Sequence, residues 1–200
     1  GGLQVYCGPK GLIGAPDILY QNNDDGTFLD VTETSGISSA NRYYGLGVVP
    51  EDYDADGLLD LFVANDETPN VLFHNKGDGT FKDIALLAGV AYNADGDTEA
   101  GMGVDFADYD NDGLADVFIA NDMMPNQLWL NRGELRFSES AMEWGCAVDA
   151  AGEAKAGMGV AAADIDDGVS GPEAPVGEDG GMAHLEGVVL GHPLLQLAGH

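Results

Sequence analysis

Basic residues are nearly missing from this chain: seven lysines and arginines stand against 35 aspartates and glutamates in 200 residues, a formal net charge of -28. A surface so acidic repels phosphate backbones and anionic headgroups, which argues against nucleic acid or a membrane surface as a partner. Cysteine is scarce as well. Cys7 and Cys146 lie far apart without C-x-x-C spacing, which supports neither a zinc site nor a thioredoxin-type motif and leaves the redox compartment open. No apolar run approaches the roughly 18 residues of a membrane span, so no membrane insertion is expected. The chain starts at Gly1 without a methionine or a leader pattern, and the expectation is a fragment whose export signal, if any, lies upstream. Catalytic signatures are missing too: there is no G-x-S-x-G elbow, no H-E-x-x-H and no phosphate-cradling glycine loop, and a non-enzyme is expected. Apolar residues, by contrast, make up an ordinary 44% of the chain, enough for a folded core.

What the chain does have is a repeat. Gly45-Leu46-Gly47-Val48 recurs as Gly101-Met102-Gly103-Val104 and as Gly157-Met158-Gly159-Val160, each time after 56 residues, and Asp52, Asp108 and Asp164 keep the same spacing. Thr68-Pro69-Asn70-Val71-Leu72-Phe73 matches Met124-Pro125-Asn126-Gln127-Leu128-Trp129, with an earlier copy in Ala15-Pro16-Asp17-Ile18-Leu19-Tyr20. A fixed period of this kind makes each unit one supersecondary element stacked on its neighbours. Within a unit, short runs alternate with Asn, Asp and Gly turns, and no helical periodicity is long enough to compete. Four strands per unit fit, in the second copy about 101–107, 115–120, 126–131 and 135–140. Leu61 to Ala64 and Val117 to Ala120 are apolar on both faces, as suits strands buried between layers.

The expected fold class is therefore all-β, tandem four-stranded blades of a β-propeller in about three repeats. A β-solenoid is the competitor, disfavoured because its coils are usually much shorter than this unit. The expected organisation is a partial blade over 1–44, blades over 45–100 and 101–156, a truncated start of a third repeat over 157–168, and an irregular, non-native tail over 169–200. After Asp166 one residue of the pattern is missing and the β alternation stops; a genuine irregular extension is the alternative for the tail.

Two complete loops carry the chemistry. Asp52-Tyr53-Asp54-Ala55-Asp56-Gly57-Leu58-Leu59-Asp60 and Asp108-Tyr109-Asp110-Asn111-Asp112-Gly113-Leu114-Ala115-Asp116 place carboxylates at positions 1, 3, 5 and 9. Calcium takes six to eight oxygen ligands, and alternate positions of a curled loop turn such oxygens inward. The expected ligands are Asp52, Asp54, Asp56 and Asp60, with the Leu58 carbonyl, and Asp108, Asp110, Asp112 and Asp116, with the Leu114 carbonyl. Gly57 and Gly113 supply the sharp turn. An EF-hand would need a Glu at position 12, where Val63 and Ile119 stand instead. Magnesium is less suited to such a cage. Solvated turn aspartates are the bland alternative, but four carboxylates crowded into nine residues, twice over, repel one another without a cation. The third copy, Asp164, Asp166 and Asp167, lacks the later ligands and is not expected to form a site.

Other features carry less. Lys76-Gly77-Asp78 looks like an integrin-ligand tripeptide but falls where the repeat places a hairpin turn. His74 aligns with Gln21 and Leu130 and reads as a tolerated strand residue. His184, His192 and His200 sit in the tail without zinc spacing. Trp129 aligns with Phe73 and Tyr20 and reads as a core aromatic.

The two loops, with the Gly-x-Gly-Val strand before them and the Leu-Phe-Val or Val-Phe-Ile strand after them, resemble FG-GAP repeats, similar to those of integrin α-subunit propellers. Tyr6-Cys7-Gly8-Pro9-Lys10-Gly11-Leu12, Gly14-Ala15-Pro16-Asp17 and Asn22-Asn23-Asp24-Asp25-Gly26-Thr27-Phe28 resemble the cartilage acidic protein family and its bacterial ASPIC/UnbV relatives. The resemblance runs from about Tyr6 to Asp166 and implies a secreted or cell-surface seven-bladed propeller with calcium at the blade loops. The ASPIC/UnbV domain that follows the repeats in those proteins is not visible in this sequence. The expected function is a non-enzymatic, calcium-stabilised module for extracellular protein or carbohydrate interaction or adhesion, in a secreted, periplasmic or cell-surface location. The alternatives are the propeller portion of an exported polysaccharide-active hydrolase or lyase whose catalytic residues lie elsewhere, and a non-functional remnant of a degraded gene.

Overall fold

The computed structural model describes residues 8–9, 11–37 and 42–161. Tyr6, Cys7 and Lys10, the third loop with Asp164, Asp166 and Asp167, and the tail over 169–200 lie outside the described residues. Among the described residues, three antiparallel sheets follow one another. The first is a pair, β1 (Tyr20–Asn22) and β2 (Phe28–Asp30). The second is the meander β3 (Gly45–Glu51), β4 (Asp60–Asn65), β5 (Val71–Asn75) and β6 (Phe81–Asp83). The third repeats it as β7 (Gly101–Ala107), β8 (Asp116–Asn121), β9 (Gln127–Asn131) and β10 (Phe137–Glu139). The fold is all-β, and the two four-stranded sheets are tandem propeller-type blades.

The both-face apolarity of the second strands has a direct cause. In β4, Phe62 and Ala64 point into the core shared with the third sheet, while Leu61 and Val63 point toward the β1–β2 side. In β8, Val117 and Ile119 complete that shared core with Tyr53, Leu72 and Trp129, while Phe118 and Ala120 pack outward with Leu128 and Leu130. Side chains alternate across a strand, so a strand covered on both faces must be apolar at every position. Phe62 and Val117 are fully buried, which at roughly 25 cal/mol per Å² is worth about 1.5–3 kcal/mol for each side chain.

The Gly-x-Gly pattern is explained by how closely first strands approach. A Cβ on Gly103 would lie 2.5 Å from the Cα of Gly159, and one on Gly47 would lie 2.8 Å from a methyl of Val104. The ladder register also slips between Gly45 and Gly47 and again between Gly101 and Gly103, a bulge at the same place in both blades.

Two one-turn helices were not legible in the sequence, since four residues cannot show a 3.6-residue period. They are α1 (Thr32–Ser35) and α2 (Ala85–Ala88), each following the last strand of its sheet and each ended by a left-handed glycine, Gly36 or Gly89. Ala85 and Ala88 are buried against the shared core. Lys76-Gly77-Asp78 lies in the β5–β6 hairpin, where the Lys76 N–H donates to the Thr80 carbonyl and the Thr80 N–H to Asp78.

Candidate metal centre

Both nine-residue loops are the hairpins that join the first strand of a blade to the second, so the two sites sit at the same end of their sheets. Their backbones match. Ala55 and Asn111 at position 4 have φ of 59° and 57°, and Gly57 and Gly113 at position 6 have φ of 87° and 88°. The position-1 carboxylate holds this curl by accepting from two successive amides. Asp52 takes the N–H of Asp56 at 3.0 Å and of Gly57 at 2.9 Å; Asp108 takes those of Asp112 at 3.0 Å and Gly113 at 2.9 Å. The position-5 carboxylates accept from the position-7 amides, Asp56 from Leu58 and Asp112 from Leu114.

The curl gathers the acids. In the first loop, oxygens of Asp52, Asp54 and Asp56 lie within 4.8 Å of one another, and a second overlapping group joins Asp54, Asp60 and the ring nitrogen of His74. In the second loop the group is Asp108, Asp110 and Asp116. Asp112 stays exposed outside that group, and its Oδ1 is held by the Leu114 N–H at 2.9 Å. Both loops are thus acidic clusters with the geometry to hold a metal ion.

The position-9 aspartates come from the start of β4 and β8 and are the most buried acids of the clusters, 1% exposed for Asp60 and 0% for Asp116. Each accepts the N–H of an asparagine at the end of the third strand, Asn75 at 2.7 Å and Asn131 at 2.7 Å. Burial pushes the Asp60 carboxyl above the ordinary carboxylate range; the Asn75 N–H and His74 oppose this, and Asp54 adds to it. Burial pushes Asp116 up to about 6 against the N–H bonds of Asn131 and Tyr109, with Asp110 and Asp112 raising it further. The two sites then differ. Asp116 Oδ2 accepts the Tyr109 N–H at 2.8 Å, whereas Asp60 Oδ2 is buried without any hydrogen-bond partner, as is Oδ1 of Asp110. A buried carboxylate oxygen left unpaired is costly, and a cation is the partner that removes the cost.

Nitrogen-bearing side chains meet the loops in two ways that spacing did not reveal. His74, set aside as a strand residue from its alignment, brings Nδ1 to 3.2 Å from Asp60 Oδ1 and 3.5 Å from Asp54 Oδ2. The available signal was its place beside Asn75, the residue whose amide reaches Asp60. Arg132 reaches over the second loop and binds Asp110 Oδ2 through Nη1 at 2.9 Å. Position 12 is Val63 in β4 and Ile119 in β8, both buried apolar strand residues, so the helix that an EF-hand loop leads into is replaced by a strand.

Position 2 ties each loop to the core. Tyr53 is fully buried between the two blades, with its ring edge-on to Phe137 at a centroid distance of 5.9 Å. Its carbonyl accepts the Nδ2 of Asn131, 78 residues away, at 2.8 Å. The first loop is therefore fastened to the following blade at the residue between two of its expected ligands, Asp52 and Asp54.

Comparison with known proteins agrees with this architecture. The FG-GAP-like repeat family matches residues 11–63, 52–119 and 108–167. Curated relatives include cartilage acidic protein 1 of Homo sapiens, 37% identical over 137 residues, covering 63% of this chain and 20% of that protein. The Mus musculus protein of the same name is 36% identical over 137 residues, with the same coverage. That of Xenopus tropicalis is 41% identical over 107 residues, covering 52% of this chain and 16% of the relative. The chain spans about a fifth of the length of the relatives it matches.

Proposed function

Because the chain belongs to the FG-GAP-like repeat family, we propose that it is an extracellular calcium-binding propeller module, non-enzymatic, that presents surface for a protein or carbohydrate ligand. The observation that carries the calcium reading is the unpartnered Oδ2 of Asp60, an aspartate only 1% exposed and grouped with Asp54, which Asp52 and Asp56 adjoin. Asp52, Asp54, Asp56 and Asp60 with the Leu58 carbonyl would hold one ion, and Asp108, Asp110, Asp112 and Asp116 with the Leu114 carbonyl a second. A bound calcium supplies the positive charge that the crowded acids lack, and its role is structural.

The chain's own residues divide that work. Asp52 and Asp108 preform the curl by holding two amides each, so little loop entropy remains to be lost when the ion arrives. Asp60 and Asp116 connect the ion to the sheet, and through Tyr53 the first loop connects to the next blade. Arg132 competes for Asp110 and must release it, so the second site is the weaker one. The strong negative charge outside the loops favours ligands that are neutral or basic. A secreted, periplasmic or cell-surface setting, where free calcium is plentiful, suits affinities of about 10⁻⁴ to 10⁻³ M for such modules.

Calorimetric titration of calcium into the full chain, beside the double variant Asp54→Ala with Asp110→Ala, tests the reading. Two sites in the parent, both lost in the variant, is the expected result. A folded parent that takes up no calcium would overturn the assignment.

A further inference from the structure

We propose that the first loop, unlike the second, is a mixed nitrogen and oxygen site that takes a borderline divalent ion of the zinc type through His74, Asp54 and Asp60. The inference rests on the reading of the loops as cation sites and goes beyond it in assigning a ligand and a selectivity. Three observations carry it. His74 Nδ1 lies 3.2 Å from Asp60 Oδ1 and 3.5 Å from Asp54 Oδ2. Zinc bonds of about 2.0–2.1 Å in tetrahedral geometry set ligand atoms about 3.3 Å apart, so His74 Nδ1 already stands near that edge length from an oxygen of each aspartate, and the three donors lie within 4.8 Å of one another. Asp60, 1% exposed, has Oδ1 engaged by the Asn75 N–H and His74 Nδ1, while its buried Oδ2 has no hydrogen-bond partner and is left as a donor oxygen for an ion.

The second loop supplies the internal control. Leu130 occupies the place of His74, fully within the outer core, and Asp110 is bound by Arg132. That loop offers oxygen donors only. Imidazole suits zinc, nickel and cobalt, while carboxylate and carbonyl oxygens alone suit calcium and magnesium. One chain would then carry two loops of the same backbone with different ion preference, and the difference would reside in a single strand residue.

The test is a titration of the full chain with zinc, and with cobalt(II) as its visible-absorbing stand-in, beside His74→Leu, which copies the second loop, and His74→Gln, which keeps a polar side chain. Loss of an outer-shell group costs about 10- to 100-fold in metal affinity, so loss of a direct donor is expected to weaken the His74-dependent site by about 100-fold or more. Cobalt should give visible bands of low-symmetry nitrogen and oxygen ligation that disappear in both variants. Binding by other groups of the chain persists in the variants and drops out of the difference. Equal zinc affinity and equal cobalt spectra in parent and variants, with folding checked by circular dichroism, would overturn the proposal. Calcium titrations of the same samples separate the two readings: two calcium sites without a His74-dependent zinc site sinks only this inference, and zinc bound through His74 without calcium anywhere sinks only the calcium module.

Discussion

Replacing the position-9 aspartates by asparagine should have different consequences in the two loops when no metal is present. Asp60 uses one carboxylate oxygen, accepting the Asn75 N–H at 2.7 Å, and its other oxygen is buried and unpaired. An asparagine keeps the one acceptor and removes a buried charge whose ionised form burial already disfavours, at the expense of the His74 contact. In EDTA, Asp60→Asn should therefore be neutral or stabilising by up to about 1 kcal/mol. Asp116 uses both oxygens, one for the Asn131 N–H at 2.7 Å and one for the Tyr109 N–H at 2.8 Å. An amide nitrogen cannot accept, so one buried N–H loses its partner at a cost of about 1–3 kcal/mol that cancels the relief of charge, and Asp116→Asn should be less stable relative to the parent than Asp60→Asn. Calcium reverses the comparison for the first loop. At about 10 to 100 times Kd each site adds roughly 1.4 to 2.7 kcal/mol, which moves the melting temperature by about 3–10 °C for a chain of this size. Asp60→Asn should forfeit that gain at its own site. Thermal unfolding in EDTA and in saturating calcium reads both effects. Equal stability of the two variants in EDTA, or a full calcium response in Asp60→Asn, would refute the reasoning.

Two further outcomes follow from the same contacts. The Asp116 carboxyl is raised to about 6 in the folded chain, above its unfolded value near 3.8, so the fold holds the proton more tightly than the unfolded chain does. Its contribution is fully present below about pH 4 and is lost as pH rises through 6, an apo destabilisation on the order of 2–3 kcal/mol that urea unfolding in EDTA across that range should show and Asp116→Asn should flatten. Burial raises Asp60, Asp66 and Glu99 in the same direction, whereas the lowered carboxyls Asp25, Asp30, Asp78 and Asp149 act below pH 4, so a rise in apo stability between pH 4 and 6 would contradict the assignment. Tyr53 is fully buried with its hydroxyl unpartnered, so Tyr53→Phe should leave the melting temperature unchanged or slightly raised, while Tyr53→Ala should cost about 3–5 kcal/mol and weaken calcium at the first loop together with it. A Tyr53→Ala chain with undiminished calcium affinity would show that the loop and the junction between blades are independent.

The sequence by itself determined the architecture, because its signals are local and repeated. Glycines at 45, 47, 101 and 103 recur where first strands nearly touch, the Asp, Asp, Asp-Gly and Asp spacing recurs where a hairpin must curl, and Leu61 to Ala64 and Val117 to Ala120 are apolar throughout because both faces are covered. It could not show the one-turn helices, which are shorter than the period that would reveal them. Nor could it show what depends on separation in the chain collapsing to contact in space. His74 lies 14 residues from Asp60, Arg132 lies 22 from Asp110 and Asn131 lies 78 from Tyr53, and each becomes a partner only when third strands are laid beside second strands and one blade against the next. Repeat alignment assigned Leu130 and His74 the same place in their strands; only tertiary structure decided that one fills a core on the outer face of its sheet while the other meets the carboxylates of Asp54 and Asp60.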